Sequence, residues 1–476
     1  MTGNILFLEG VMLLIPLICS LIYGEKSSIF SFLITMAITL SVGLVLSTFF
    51  RTKDRDVFAR EGFAIVALSW LSMSIFGALP FVLSGSIPSY VDAFFETVSG
   101  FTTTGATILS GSQIEGMSRG LLLWRSFTHW IGGMGVLVFV MAFLPLGGAH
   151  NLHIMRAEST GPSVSKLVPR VRKTAIILYG IYIAMTVLQT VLLLIGRMSF
   201  FEAINTALST AGTGGFGFKN DSLGSYSPYI QIVVTAFMLL FSVNFNTYYL
   251  ALRLRFRETV NTELRVFLGI VIAAVLIIAL DIHEASIFDS FGEGLRHAAF
   301  TVSSIISTTG FATANFDIWP GLSRTIIVLL MFIGACAGST GGGIKVSRII
   351  IFFKGAVREI GQIIHPKQVK KLTLDDRPID HEVVRGVNAY LVCFFLIFTA
   401  SVALISFNEY DLVTNFTAVS AMINNVGPGL ELVGPTQNFA HFTGFSKLVL
   451  IFDMLAGRLE LFPMLILFSP RAYKKH

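Results

Sequence analysis

Four short segments of this chain end alike, and each follows an apolar stretch too short to cross a membrane. They are Ser99-Gly-Phe-Thr-Thr-Thr-Gly105, Ser209-Thr-Ala-Gly-Thr-Gly-Gly215, Ser304-Ile-Ile-Ser-Thr-Thr-Gly310 and Ala421-Met-Ile-Asn-Asn-Val-Gly427. In each, a small residue stands six positions before the final glycine. The stretches leading into them predict short re-entrant helices over 90–102, 199–211, 293–306 and 411–423, each about a dozen residues, or half a bilayer. Irregular backbone at membrane depth is tolerated only where protein buries it or where it lines a watery cavity. Four such loops therefore predict one shared central cavity. Four helix-then-glycine-loop units in a single chain are also what a pseudo-fourfold ion pore requires.

The membrane setting follows from the rest of the chain. Of its 476 residues, 54% are hydrophobic and 13% charged, about half the charged share of a soluble domain. Ten apolar runs cover 5–23, 29–50, 62–84, 120–146, 174–196, 228–252, 264–282, 325–351, 386–407 and 445–468. Each is near or above the roughly 20 residues that cross a bilayer core. The fold class expected is all-α integral membrane, with ten transmembrane helices. The first run is too long for a signal-peptide core and is read as a retained helix. The three cysteines, Cys19, Cys336 and Cys393, lie in apolar runs without metal-ligand spacing and read as buried thiols.

Positive charge assigns the sidedness. Arg51, Lys53, Arg55 and Arg60 share one loop; Lys166, Arg170, Arg172 and Lys173 another; Arg253, Arg255, Arg257 and Arg265 a third. Segment 345–385 carries nine Lys or Arg, and the tail adds Arg471, Lys474 and Lys475. Alternate loops are thus cytoplasmic, both termini are cytoplasmic, and the four glycine loops open outward. The net charge of +6 reflects this bias. It does not mark a nucleic-acid partner, because no basic stripe with interleaved aromatics lies outside the spans.

The organisation expected is an N-terminal two-helix extension at 1–58 and four units, each a span, a short helix, a glycine loop and a second span. They occupy 59–171, 172–260, 261–361 and, together with a cytoplasmic linker at 362–385, the region 362–476. Repetition of this kind is the mark of symmetric transport folds.

The filter candidates are Thr103, Thr104 and Gly105; Thr213, Gly214 and Gly215; Thr308, Thr309 and Gly310; and Asn425, Val426 and Gly427. Glycine reaches backbone angles closed to other residues, so neighbouring carbonyls can turn toward an axis. A helix C-cap would account for one such glycine but not for four in register. The gate candidates lie in Gly334-Ala-Cys-Ala-Gly-Ser-Thr-Gly-Gly-Gly-Ile-Lys345: Gly338, Ser339, Thr340, Gly341, Gly342, Gly343 and Lys345. Each glycine costs a helix roughly 1 kcal/mol relative to alanine, so the run predicts an unwound loop in the ion path, or a simple helix kink. A phosphate loop is disfavoured, since Ile344 stands where its lysine belongs. Arg458 completes the gate set. It lies about twelve residues, roughly 18 Å, from either end of its apolar run, where an ionised group faces a cavity or a partner. It would bond the carbonyls of 338–343, or pair statically with Asp453 or Glu460.

Other polar residues leave alternatives open. His129 is read as a packing residue, with proton carrier as the alternative. Asn244 and Asn246 either line an inner vestibule or bond neighbouring helices. Glu96 and Glu202 could tune the outer field. There is no nucleophile–base pair and no transition-metal constellation, so an enzyme is not expected.

The glycine loops, the His129-Trp-Ile-Gly-Gly-Met-Gly135 stretch, the Gly338-Ser-Thr-Gly-Gly-Gly343 interruption and Arg458 resemble the Trk/Ktr/HKT superfamily of potassium translocation proteins. The two extra N-terminal helices are similar to those of its bacterial TrkH-type branch. The second loop departs in its clustered Gly212, Gly214 and Gly215. The resemblance implies a homodimer with one pore per subunit and K⁺, as the transported ion, held at the four filter glycines. It implies a pore narrowed below them by the loop and Arg458, and regulation by a cytoplasmic nucleotide-binding RCK subunit, TrkA-like. No organic cofactor is expected. The implied activity is potassium uptake across the bacterial inner membrane, channel-like, with K⁺ symport coupled to H⁺ or Na⁺ as the alternative. His129, Glu96 or Asp453 would then serve coupling.

Overall fold

The computed structural model describes residues 2–49, 59–135, 171–255, 259–366, 371–375 and 377–469. Among these, one strand pair occurs, Thr373–Leu374 against Arg377–Pro378, and the rest of the regular structure is helical. Six described helices are long and apolar enough to cross a bilayer: Thr2–Tyr23, Lys26–Phe49, Glu61–Leu83, Ala175–Ile195, Thr262–Glu284 and His381–Asn408.

The other four apolar runs are not single straight helices. Pro228–Phe241 and Phe245–Leu252 meet at 92°. Run 325–351 divides into Gly321–Phe332 and Val346–Ile364, and run 445–468 into Gly444–Arg458 and Phe462–Leu467. Arg119–Gly133 leads toward residues 136–146, which lie outside the described residues. So do the cations Arg51, Lys53, Arg55, Lys166, Arg170, Arg257, Arg471, Lys474 and Lys475 used to assign sidedness. The breaks have local causes. Glu460 and Leu461 take φ of 61° and 64°, and Pro463 in the next turn has no N–H to continue the ladder. Asn244 caps Phe245–Leu252, its Oδ1 accepting the Asn246 N–H at 2.9 Å. The expected linker at 362–385 is partly regular: Val346–Ile364 runs into it and His381–Ile405 begins within it.

The four short helices are Tyr90–Phe101, Phe200–Gly212, Phe291–Ile306 and Leu412–Ile423. All begin in the same way. Ser89, Ser199, Ser290 and Asp411 accept the backbone N–H of Asp92, Glu202, Glu293 and Thr414. In three of them the cap is followed three residues on by an acid, a sequence signal of helix starts, and each cap contributes about 1 kcal/mol.

The packing of these helices closes on itself. Phe200–Gly212 packs on Arg119–Gly133, Phe291–Ile306 on Pro228–Phe241, and Leu412–Ile423 on Gly321–Phe332. Tyr90–Phe101 then packs on Gly444–Arg458, joining the start of the chain to its end. A Lys447–Asp92 ion pair at 2.5 Å ties that last contact. The N-terminal hairpin turns at Gly24 (φ 70°) and lies against Ala59–Gly77 and Arg119–Gly133.

Candidate functional site

Each short helix ends in the same cap. The N–H groups of Thr104, Gly214, Thr309 and Val426 donate to the carbonyls of Ser99, Ser209, Ser304 and Ala421 at 2.8–2.9 Å. Those of Thr103, Thr213, Thr308 and Asn425 donate to Gly100, Thr210, Ile305 and Met422 at 2.9–3.1 Å. This is the Schellman pair of bonds. It accounts for the recurrent small residue six positions before each glycine, which supplies the first acceptor and is fully buried. The left-handed position of the motif, usually glycine, holds Thr103, Thr213, Thr308 and Asn425, with φ of 54–59°. A threonine there costs about 1–3 kcal/mol, strain of the kind that persists at functional sites. The glycines come two residues later, with φ of 77°, 78°, 81° and 99°.

These four glycines meet one another. A β-carbon on Gly105 would lie 1.8 Å from the Gly214 carbonyl oxygen, and one on Gly215 1.9 Å from that of Thr309. One on Gly310 would lie 2.3 Å from the Val426 oxygen, and one on Gly427 2.7 Å from that of Thr104. Each glycine thus abuts the carbonyl just before the next glycine, in chain order and back to the first. Gly105, Gly215, Gly310 and Gly427 together line one open vestibule of about 90 Å³. The negative dipole ends of the four short helices face these loops, which favours a cation. The Asn425 amide ties the fourth loop to the first, donating to Thr104 Oγ1 at 2.9 Å, and to the last long helix through the Met454 carbonyl at 2.9 Å.

Glu96 is buried beside the first loop. It accepts the Thr107 hydroxyl at 2.9 Å and the Ile108 N–H at 3.1 Å, and pairs with Arg125 at 2.7 Å. Arg125 lies over the Phe216 ring at 4.1 Å and lines the vestibule. It therefore spans the first two loops with its charge compensated. Sequence reasoning passed over Arg125, although a lone cation inside an apolar run was the available signal. Arg125→Ala would leave Glu96 buried and unpaired, at a cost of about 3–5 kcal/mol. The expected outcome is a marked fall in the thermal unfolding midpoint in detergent, measured beside a surface control such as Lys371→Ala. His129 packs behind the second loop, its ring 4.2 Å from Phe216 and its Nδ1 3.4 Å from Ser209 Oγ. Glu202 lies at the start of its helix, away from the ring, bonded to Ser199 Oγ at 2.9 Å.

The small-residue run 334–345 is not a kinked helix. Its two ends pair with each other, the Gly334 N–H donating to the Ile344 carbonyl at 2.9 Å. The excursion between them lies against the glycine loops. The Gly342 N–H donates to Thr308 Oγ1 at 2.7 Å, and a β-carbon on Gly342 would lie 2.5 Å from the Asn424 oxygen. Gly338 accepts the Phe245 N–H at 3.0 Å and sits against Asn244. Ser339 Oγ donates to the Cys336 carbonyl at 2.6 Å, Thr340 Oγ1 to Phe241 at 3.1 Å, and Lys345 Nζ to the carbonyls of Gly341 and Gly342. Gly343 takes φ of 69°. Arg458 donates to the carbonyls of Thr340 at 2.8 Å and Gly133 at 2.8 Å, and to that of Gly132. Asp453 instead bonds Ser401 at 2.7 Å, and Glu460 pairs with Arg348. Arg458 thereby links the loop to the negative C-terminal end of Arg119–Gly133.

The family model of TrkH, described as a cation transport protein, matches residues 28–475. The chain is 35% identical to the Trk system potassium uptake protein TrkH of Salmonella typhimurium, over 99% of this chain and 97% of that one. It is 31% identical to the Trk system potassium uptake protein TrkG of Escherichia coli, over 98% and 96%. Its fold matches the crystal structure of the potassium transporter TrkH from Vibrio parahaemolyticus with a TM-score of 0.88 and 31% identity, covering 99% and 98% of the two chains. These relatives are named for transport and not for catalysis, and the apolar helices make this a multi-pass membrane protein. The chain belongs to the TrkH family of cation transport proteins.

Proposed function

We propose that this chain takes up K⁺ across the bacterial inner membrane, through one pore surrounded by four helix–loop–helix units that follow a two-helix extension. In this reading the polypeptide crosses ten times, some crossings broken, with both termini in the cytoplasm. Carbonyls of Thr103–Gly105, Thr213–Gly215, Thr308–Gly310 and Asn425–Gly427 replace the ion's water. The 338–343 loop, Lys345 and Arg458 close the path beneath. The chain works as a homodimer, under a TrkA-like cytoplasmic subunit. The relatives named for potassium uptake support the ion and the direction.

The observation that carries this reading is the closed ring, in which each loop glycine abuts the carbonyl before the next. Four loops that merely capped helices would have no reason to meet. The test is uptake of radioactive rubidium, a K⁺ mimic, into proteoliposomes, with and without the cytoplasmic subunit. Uptake competed by K⁺ but not Na⁺, and indifferent to the pH gradient, is expected. Uptake that requires a proton or sodium gradient would replace the channel by symport and spare the filter. No uptake under either condition would overturn conduction.

A further inference from the structure

The gate reading raises the question of how a loop of small residues moves without unravelling the helices on either side. The contacts of 332–347 divide into two sets. The first joins the two ends of the excursion. The Gly334 N–H donates to Ile344 at 2.9 Å, the Ile344 N–H to Phe332 at 3.3 Å, and the Val346 N–H to Ala335 at 3.3 Å. Beside this stem stands Glu263, in the first turn of Thr262–Glu284 and 7% exposed. One atom of it, Oε1, accepts the N–H of Ala337 at 2.8 Å and that of Ser347 at 3.1 Å. A single carboxylate oxygen thus holds the incoming and outgoing strands of the excursion together. It does so from a rigid helix start, where Asn261 caps the helix and Asp375 accepts the Thr262 N–H at 2.7 Å.

The second set holds the tip to other parts of the molecule. The Phe245 N–H donates to Gly338 at 3.0 Å. Thr308 Oγ1 accepts from Gly342, and Arg458 donates to Thr340. These bonds can all be released while the stem and Glu263 stay in place.

We propose that Glu263 is the positioning residue of the gate, an anchor that fixes both ends of 336–346 so that the tip swings as a hinged flap on a closed stem. The inference rests on the gate reading of the loop. The bonds to the Glu263 carboxylate are charge-assisted and, unlike the tip bonds of Arg458 and Lys345, they add to backbone pairings between the two strands themselves.

Thiol reactivity separates the two sets. In the full-length protein with Cys19→Ser, Cys336→Ser and Cys393→Ser, an added Ser339→Cys, at a buried position, reports the tip. With Ile344→Cys in place of Ser339→Cys, the introduced thiol reports the stem. The readouts are reaction with N-ethylmaleimide and rubidium flux in proteoliposomes. Arg458→Ala is expected to raise flux and to speed labelling of the tip thiol about tenfold, the order of one lost bond to a charged group, while the stem thiol keeps its parental rate. Glu263→Ala is expected to speed labelling at both positions. Glu263→Gln keeps an acceptor oxygen but loses the charge, and is expected to fall between the parent and Glu263→Ala, which distinguishes anchoring from a folding defect.

If Arg458→Ala raised flux and exposed the stem thiol as fully as the tip, the loop would leave whole and the hinge would be overturned. The same holds if Glu263→Ala left the stem thiol protected, or if Glu263→Gln exposed it as Glu263→Ala does. If Arg458→Ala changed neither flux nor the tip thiol in a folded protein, the gate reading itself would fail, and the hinge with it.

Discussion

Gly215→Ala is expected to abolish selective potassium uptake while leaving the helical fold intact. The added methyl would lie 1.9 Å from the Thr309 carbonyl oxygen and 3.2 Å from the Gly310 carbonyl carbon. Both are backbone atoms held by the third cap, so no side-chain rotation relieves the clash. The φ of 78° adds about 1–2 kcal/mol for a residue with a β-carbon. The ring must therefore open at the second loop, and carbonyls that replace an ion's hydration shell then no longer sit at matched distances. A loss of 1.4 kcal/mol in relative affinity is a tenfold loss in discrimination. Competition of K⁺ against Na⁺ for rubidium uptake should lose at least about tenfold. Gly310→Ser, with its β-carbon 2.3 Å from the Val426 oxygen, is expected to behave alike. Unchanged competition in both variants would remove the glycine ring from selectivity.

Arg458→Ala is expected to make the pore conduct in the absence of any regulatory subunit. The guanidinium bonds the Thr340 carbonyl of the loop and the Gly132 and Gly133 carbonyls at a helix end. Bonds to charged groups contribute about 1.5–3 kcal/mol each. Losing the one that holds the loop raises the open population by about ten- to a hundredfold. The two helix-end carbonyls lose their partner as well, so a lower thermal midpoint in detergent should accompany the higher flux. Arg458→Lys supplies a point charge without the planar fork, and is expected to fall between the two. Flux in proteoliposomes at equal protein content decides the matter. A flat response from a folded protein would take Arg458 out of the gate.

Much of the site was legible because its parts are local. The four short helices were placed within two residues of their observed bounds, and the third differs by starting earlier, at Phe291. Their serine and aspartate caps and their glycines act over a few residues, so a pattern along the chain records them. The six-position spacing likewise covers one Schellman cap and the glycine that follows it. The excursion at 334–345 was legible because consecutive glycines cannot sustain a helix. Other features left no such trace. Nothing adjacent marks Thr103, Thr213 and Thr308 as left-handed; the position becomes visible only once the cap is built. Arg125 and Glu96 stand on different helices, and Glu263 reaches across to Ala337 and Ser347. The breaks in runs 228–252 and 445–468 were hidden because hydropathy counts apolar residues and not the direction of the axis.

The sequence by itself determined that this is a helical membrane protein with four half-length helices, each running into a strained glycine loop. Periodicity, capping and glycine content act between near neighbours, and those neighbours are fixed by covalent order. The tertiary structure alone decided which carbonyl each loop glycine meets, and that Glu263 holds both strands of the loop beneath them. Those contacts join residues far apart along the chain, 74 positions for Glu263 with Ala337 and 326 for Arg458 with Gly132. They exist only after the last helix has packed against the first short one, since no local preference along the chain brings such atoms together.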